Sequence, residues 1–145
     1  MKRLMFLLFA SLLVLGACGG GSKVELKDIT QKFKDEGLQV NDEKEMTKDD
    51  YGLAPMTAEK GVIFGIEKDA NGEYKNARLM KFEKEKDLDQ TKKYYDDAGK
   101  GSALLYSHTY KSDDGKFLLQ MNGEISEKVF DKYKDSLKKI VSENK

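Results

Sequence analysis

One cysteine, Cys18, stands in this chain of 145 residues, and its position constrains the fold more than any other residue does. A lone thiol forms no intramolecular disulfide, and with a single histidine there is no Cys/His set for zinc, so whatever folds must be held by packing alone. The cysteine also divides the chain. Before it, Met1-Lys2-Arg3 is a short basic segment and Leu4 to Leu15 is apolar apart from Ser11. That run is too short to span a bilayer as a helix and has the form of an export signal. After it come Gly19-Gly20-Gly21 and then residues enough for one ordinary hydrophobic core.

Leu15-Gly16-Ala17-Cys18 resembles the lipobox of bacterial lipoproteins, with small residues at the two positions before the cysteine. The resemblance implies that residues 1–17 are a lipoprotein signal peptide cleaved after Ala17. It implies too that the Cys18 thiolate carries a diacylglyceryl group, leaving a new amino terminus open to acylation by a fatty acid such as palmitate. Two or more acyl chains anchor stably where one is marginal. Residues 18–22 then read as the lipidated cysteine and a flexible tether of about 10 Å, and residues 23–145 as one small domain close to the outer face of the cell membrane, its partner being the lipid bilayer through Cys18.

The charges of that domain are dense and balanced. Removing Lys2 and Arg3 from the 26 basic residues leaves 24 against 26 acidic ones, a balance of −2. Near-neutrality of this kind argues against nucleic acid as a partner. The runs KDD, EKEKD and YYDD read as solvated faces.

Ser22-Lys23-Val24-Glu25 fits a capping box and predicts a helix with Val24, Leu26, Ile29 and Phe33 on its apolar face and Gly37 as its stop. Leu38 and Val40 suggest the start of a short strand. Residues 41–60 are polar, hold the only proline, Pro55, and predict a long loop. Asp69-Ala70-Asn71-Gly72 is a turn between two β-rich runs, 62–66 and 77–82, and too sparse in ligands for an EF-hand. Asp87 or Asp89 is expected to cap a second helix ending at Ala98-Gly99. A second hairpin follows, with Leu104, Tyr106, His108 and Tyr110 on one face of its first strand, a turn at Ser112–Gly115, and Phe117, Leu119 and Met121 on the return. Ser126 is expected to cap a last helix along Val129, Phe130, Tyr133, Leu137, Ile140 and Val141.

The expected fold is therefore α+β: helix, hairpin, helix, hairpin, helix, with an antiparallel or mixed sheet and the helices packed on one face. Thr30–Gly37 and Thr91–Gly99 are similar enough to raise a duplicated α-β-β unit, and both helices end in acidic pairs, Asp35-Glu36 and Asp96-Asp97, where the helix dipole disfavours them.

Chemistry leaves few marks. No G-x-S-x-G, phosphate loop or metal-ligand spacing is present, no catalytic residue, cofactor or metal site is expected, and His108 reads as a packed or hydrogen-bonded side chain ahead of a catalytic one. Tyr94, Tyr95, Tyr106, His108 and Tyr110 form a candidate ligand surface, with core packing as the competing reading. Gly52–Met56, Gly61–Phe64, Lys93–Asp96, Ser102–Tyr110 and Leu118–Gly123 together look like small lipoproteins of low-GC Gram-positive bacteria, a group labelled only lipoprotein or stress protein and without an established reaction. What this implies is a non-enzymatic binding or accessory module for an envelope or membrane protein, or else a small-ligand or envelope-stress binding domain.

Overall fold

The computed structural model describes residues 23–145, so the signal peptide expected over 1–17, the Cys18 anchor and the tether lie outside the described residues. The elements are α1 (Leu26–Asp35), β1 (Asn41–Glu45), α2 (Lys48–Tyr51), β2 (Lys60–Lys68), β3 (Tyr74–Lys81), α3 (Glu85–Gly101), a single 3-10 turn (Ala103–Leu105), β4 (Ser107–Lys111), β5 (Phe117–Asn122) and α4 (Glu127–Glu143). The fold is α+β. All five strands join one antiparallel sheet in the order β1-β2-β3-β5-β4.

Alternation along the strands separates two cores. Phe64 and Ile66 of β2, Ala77 and Leu79 of β3, and Phe117, Leu119 and Met121 of β5 meet Leu26, Ile29 and Phe33 of α1 and the Phe130, Tyr133, Leu137, Ile140 and Val141 stripe of α4. Met80 and Leu118, paired across β3 and β5, point the other way and bury Phe82 and Leu88, with Met46, Tyr51 and Tyr95 against them. Helices thus lie on both faces, not on one. The cause is α3: its apolar side is thin, Leu88 and Thr91 being its only fully buried residues, which suits the smaller core.

Several expected boundaries move. The S-x-x-E signal is displaced by three residues: Glu25 is the cap of α1, its carboxylate taking the N3 backbone N–H while Asp28 accepts from the Glu25 N–H at 2.8 Å. The loop expected over residues 41–60 contains β1 and α2. β1 has no apolar alternation because it is an edge strand, and its NDEKE sequence is the kind of charge that keeps an edge from pairing with another chain. α3 starts after Lys84, so Asp87 sits in its first turn where the dipole favours it. The same helix passes through Gly99 to Gly101. Gly99 is there for clearance, since a Cβ on it would lie 3.2 Å from the Tyr106 Cα.

Three of the four acidic residues in the two pairs meet a lysine one turn back, Lys32–Glu36 at 3.6 Å, Lys92–Asp96 at 2.7 Å and Lys93–Asp97, while Asp35 accepts from the Gln31 amide at 2.9 Å. The similar helices α1 and α3 cover opposite faces of the sheet. The turns at Asp69–Gly72 and Ser112–Gly115 close as read, with Gly72 and Gly115 at φ +81 and +71. Ser126 caps α4 by accepting from the Val129 N–H at 3.2 Å.

Candidate functional site

On the α3 face the sheet is incompletely covered. Beyond Met80 and Leu118 the strands carry Asn76 and Arg78 on β3 and Gln120 and Asn122 on β5, which the described helices cover only in part, α2 reaching Arg78 through the Asp50 carbonyl. The result is an open groove of about 490 Å³ between the sheet, the C-terminal half of α3 and the 3-10 turn, walled by Tyr74, Tyr94, Tyr95 and Tyr106. This size is ordinary for a ligand-binding cleft.

Arg78 is among the residues that line it. It pairs across the sheet with Gln120, whose Oε1 accepts from the Arg78 Nη1 at 2.9 Å, and its Nε donates to the Asp50 carbonyl at 2.9 Å. That carbonyl belongs to α2, where Thr47 and Asp50 form a capping box and the Thr47 backbone and hydroxyl donate to the Asp50 carboxylate at 2.7 and 3.0 Å. Those bonds, the backbone one foremost, hold the Asp50 carboxyl below its usual range. Gln120 is fixed from its other end by donating Nε2–H to the Ser107 hydroxyl at 2.9 Å. Arg78 is the one arginine among the described residues, it is partly buried, and no carboxylate comes within 4.0 Å of its guanidinium. The Tyr95 hydroxyl is buried with no protein hydrogen-bond partner, and burial pushes its titration up while Arg78 pulls it back.

The rim is apolar. Leu104 is 95% exposed, Leu105 60% and Tyr106 50%. Ser102 holds this turn in place by accepting from the Leu104 N–H at 3.3 Å. Tyr106 is slotted between two glycines: a Cβ on Gly123 would fall 2.3 Å from its carbonyl oxygen, and Gly99 closes the other side.

The sheet divides the five residues expected to share one ligand surface, with Tyr106 in touch with both sets: it lines the groove, and its ring meets the His108 ring edge-on at 5.3 Å. Tyr94, Tyr95 and Tyr106 line the groove. His108 and Tyr110 point to the opposite face, His108 opposite Met121 and Tyr110 opposite Leu119. His108 is buried, stacks on Phe130 at 4.9 Å and makes a 2.6 Å hydrogen bond with the Ile125 carbonyl oxygen. Tyr110 packs against the main core under the Lys134 ammonium, with its hydroxyl buried. Leu104, expected on the strand face, is solvent-facing because the 3-10 turn intervenes before β4.

Sequence reasoning missed Tyr74, Arg78 and Gln120. One signal was available for Arg78: a lone arginine in the run Ala77-Arg78-Leu79-Met80, two residues from a core methionine and so on its face of the strand.

A second cavity, beside Glu25, Met46 and Lys60, lies where the described chain begins. There Glu25 contacts Lys60 at 3.4 Å and Lys81 at 3.2 Å, and the Lys81 hydrogen bond is the main reason the Glu25 carboxyl titrates low. These lysines mark the end of the sheet where β2 begins and β3 finishes. The tyrosine groove is at the other end, since α3 runs 17 residues, about 25 Å, toward it.

Among the described residues no group of three or more His, Cys, Asp or Glu is arranged to hold a metal ion, and no helix is long and apolar enough to cross a membrane. Comparison of the chain with protein-family models, with curated proteins and with solved structures found no match.

Proposed function

We propose that this protein is an extracytoplasmic lipoprotein, anchored through Cys18 on the outer face of the cell membrane, that acts as a non-enzymatic binding or accessory module for an envelope or membrane protein. The observation that carries the reading is the placement of the groove: it opens at the end of the sheet remote from Glu25, where a lipid tether would enter the domain. Tethering gives such a module a high effective concentration near envelope partners without any added contact. An exposed Leu104-Leu105-Tyr106 rim on a domain otherwise rich in surface charge is the kind of apolar patch that interaction sites display.

The second reading, a small-ligand or envelope-stress binding domain, is favoured by one observation, that Tyr94, Tyr95 and Tyr106 converge on a single cleft. Both readings use the same groove.

The test is a photocrosslinking residue placed at Leu104 in intact cells, with Lys139 on α4 as the control position. A discrete adduct at Leu104, absent at Lys139 and abolished by Tyr106→Ala, is the expected result. Equal labelling at both positions, or none at Leu104, counts against the groove as the working face.

A further inference from the structure

Arg78 sets a chemical requirement on whatever enters the groove. Two of its five N–H groups are engaged, by the Asp50 carbonyl and Gln120, which leaves three and a full positive charge without a carboxylate of the described residues within 4.0 Å. A partly buried guanidinium in that state has lost some of its hydration and gained no counter-charge, so an arriving anion meets a donor set already oriented for it. No lysine lines the groove, and Glu124, the one carboxylate along it, is exposed and beyond ion-pair distance of Arg78. One cation compensates one negative charge.

The surroundings narrow the class further. The guanidinium sits among tyrosine rings, and the way in passes Leu104 and Leu105. Leucines offer nothing to a strongly hydrated polyanion, whereas they match apolar side chains beside a single charge. We infer that the groove takes a polypeptide segment of a partner protein that places one carboxylate, from Asp, Glu or a chain end, on Arg78 between apolar or aromatic residues that pack on the rim. This deepens the binding-module reading and rests on it.

The experiment pans a displayed library of random short peptides against the full-length protein in detergent, with Leu104→Ser as the counter-selection. The expected winners carry one Asp, Glu or free C-terminus next to Leu, Phe or similar residues. Changing that carboxylate to its amide in a winning peptide is expected to weaken binding to the unaltered protein by about tenfold or more. Raised salt is expected to weaken the acidic peptide and leave its amide unaffected. Arg78→Gln should remove the preference and Arg78→Lys should keep part of it. Because the peptide swap is read on the unaltered protein, a failure of the Arg78 variants to fold leaves the answer intact. Groove-dependent peptides without a carboxylate, or an amide that binds as well as the acid, would overturn the assignment while the binding-module reading stood. A failure to enrich any groove-dependent peptide, or a selective response to anionic lipid vesicles or acidic sugars instead, overturns it as well. The fate of the Leu104 crosslink bears separately on the module itself.

Discussion

Tyr133 is 2% exposed, and its hydroxyl donates to the Gln39 carbonyl at 2.7 Å, tying the last helix to the connection between α1 and β1 across 94 residues of sequence. Its ring meets Phe33 edge-on at 5.1 Å, so Tyr133→Phe keeps the packing and removes one oxygen. Near neutral pH the variant loses that bond and leaves the Gln39 carbonyl without it, a cost of about 1.5 kcal/mol. At high pH the balance changes. Burial pushes Tyr133 up to about 12, with the Gln39 bond pulling the other way and Glu67 adding to the rise. In the unfolded chain the phenol ionises near its usual value of about 10. Between these values the unfolded state holds fewer protons than the folded one, so stability falls as pH rises, by about 1.4 kcal/mol per unit once ionisation in the unfolded chain is under way. By about pH 11 the wild type has lost roughly 1.4 kcal/mol that phenylalanine does not lose, and the two proteins should become equally stable. Urea unfolding followed by circular dichroism at about pH 8 and about pH 11 measures this, and the other tyrosines and lysines cancel in the difference. A gap that stays constant with pH would refute the raised titration. A variant as stable as wild type at the lower pH would refute the hydrogen bond's contribution.

Gly123→Ala should cost about 1–3 kcal/mol by driving a Cβ into the Tyr106 backbone, whereas Gly101→Ala, helical and with nothing within 4 Å of its Cβ, should raise stability by about 0.4–1 kcal/mol, both read from unfolding midpoints. Asp50→Asn weakens the capping box of α2 and should lower stability by about 0.5–2 kcal/mol at neutral pH. Since the Asp50 carboxyl is depressed in the fold, its contribution is present above the unfolded carboxylate range and lost on acidification, so the gap in melting temperature between wild type and variant should narrow as pH falls below that range. Cys18→Ala should abolish incorporation of a clickable fatty acid while residues 23–145, whose cores contain no cysteine, still fold; label retained on the variant would sink the lipid assignment.

Elements with an apolar stripe were legible in the sequence. Val129 through Val141 announces α4 because six apolar residues repeat on one side of it, and the two turns announce themselves through residues that tolerate positive φ or accept from their own backbone, as Asp69 does at 2.8 and 3.0 Å. Edge strand β1 was not legible, because its pairing uses backbone groups and its side chains are nearly all polar. Nor was the double placement of Tyr106. Period-2 alternation sets it beside His108, and their rings do meet at 5.3 Å, but the 3-10 turn before it and the clearance left by Gly99 and Gly123 let it line the groove as well. The groove itself depends on Arg78 and Gln120 meeting from 42 residues apart, and no local pattern encodes such a meeting.

The slot around Tyr106 separates what the molecule can change from what it must keep. The groove wall is set by backbone clearance at two glycines, while Leu104 and Leu105 are largely exposed to solvent and belong to neither core. Their identities are therefore free to drift, or to be exchanged by design, at almost no cost to folding. New surface preferences would be written on the rim while Gly99, Gly123 and the Arg78–Gln120 pair hold the frame.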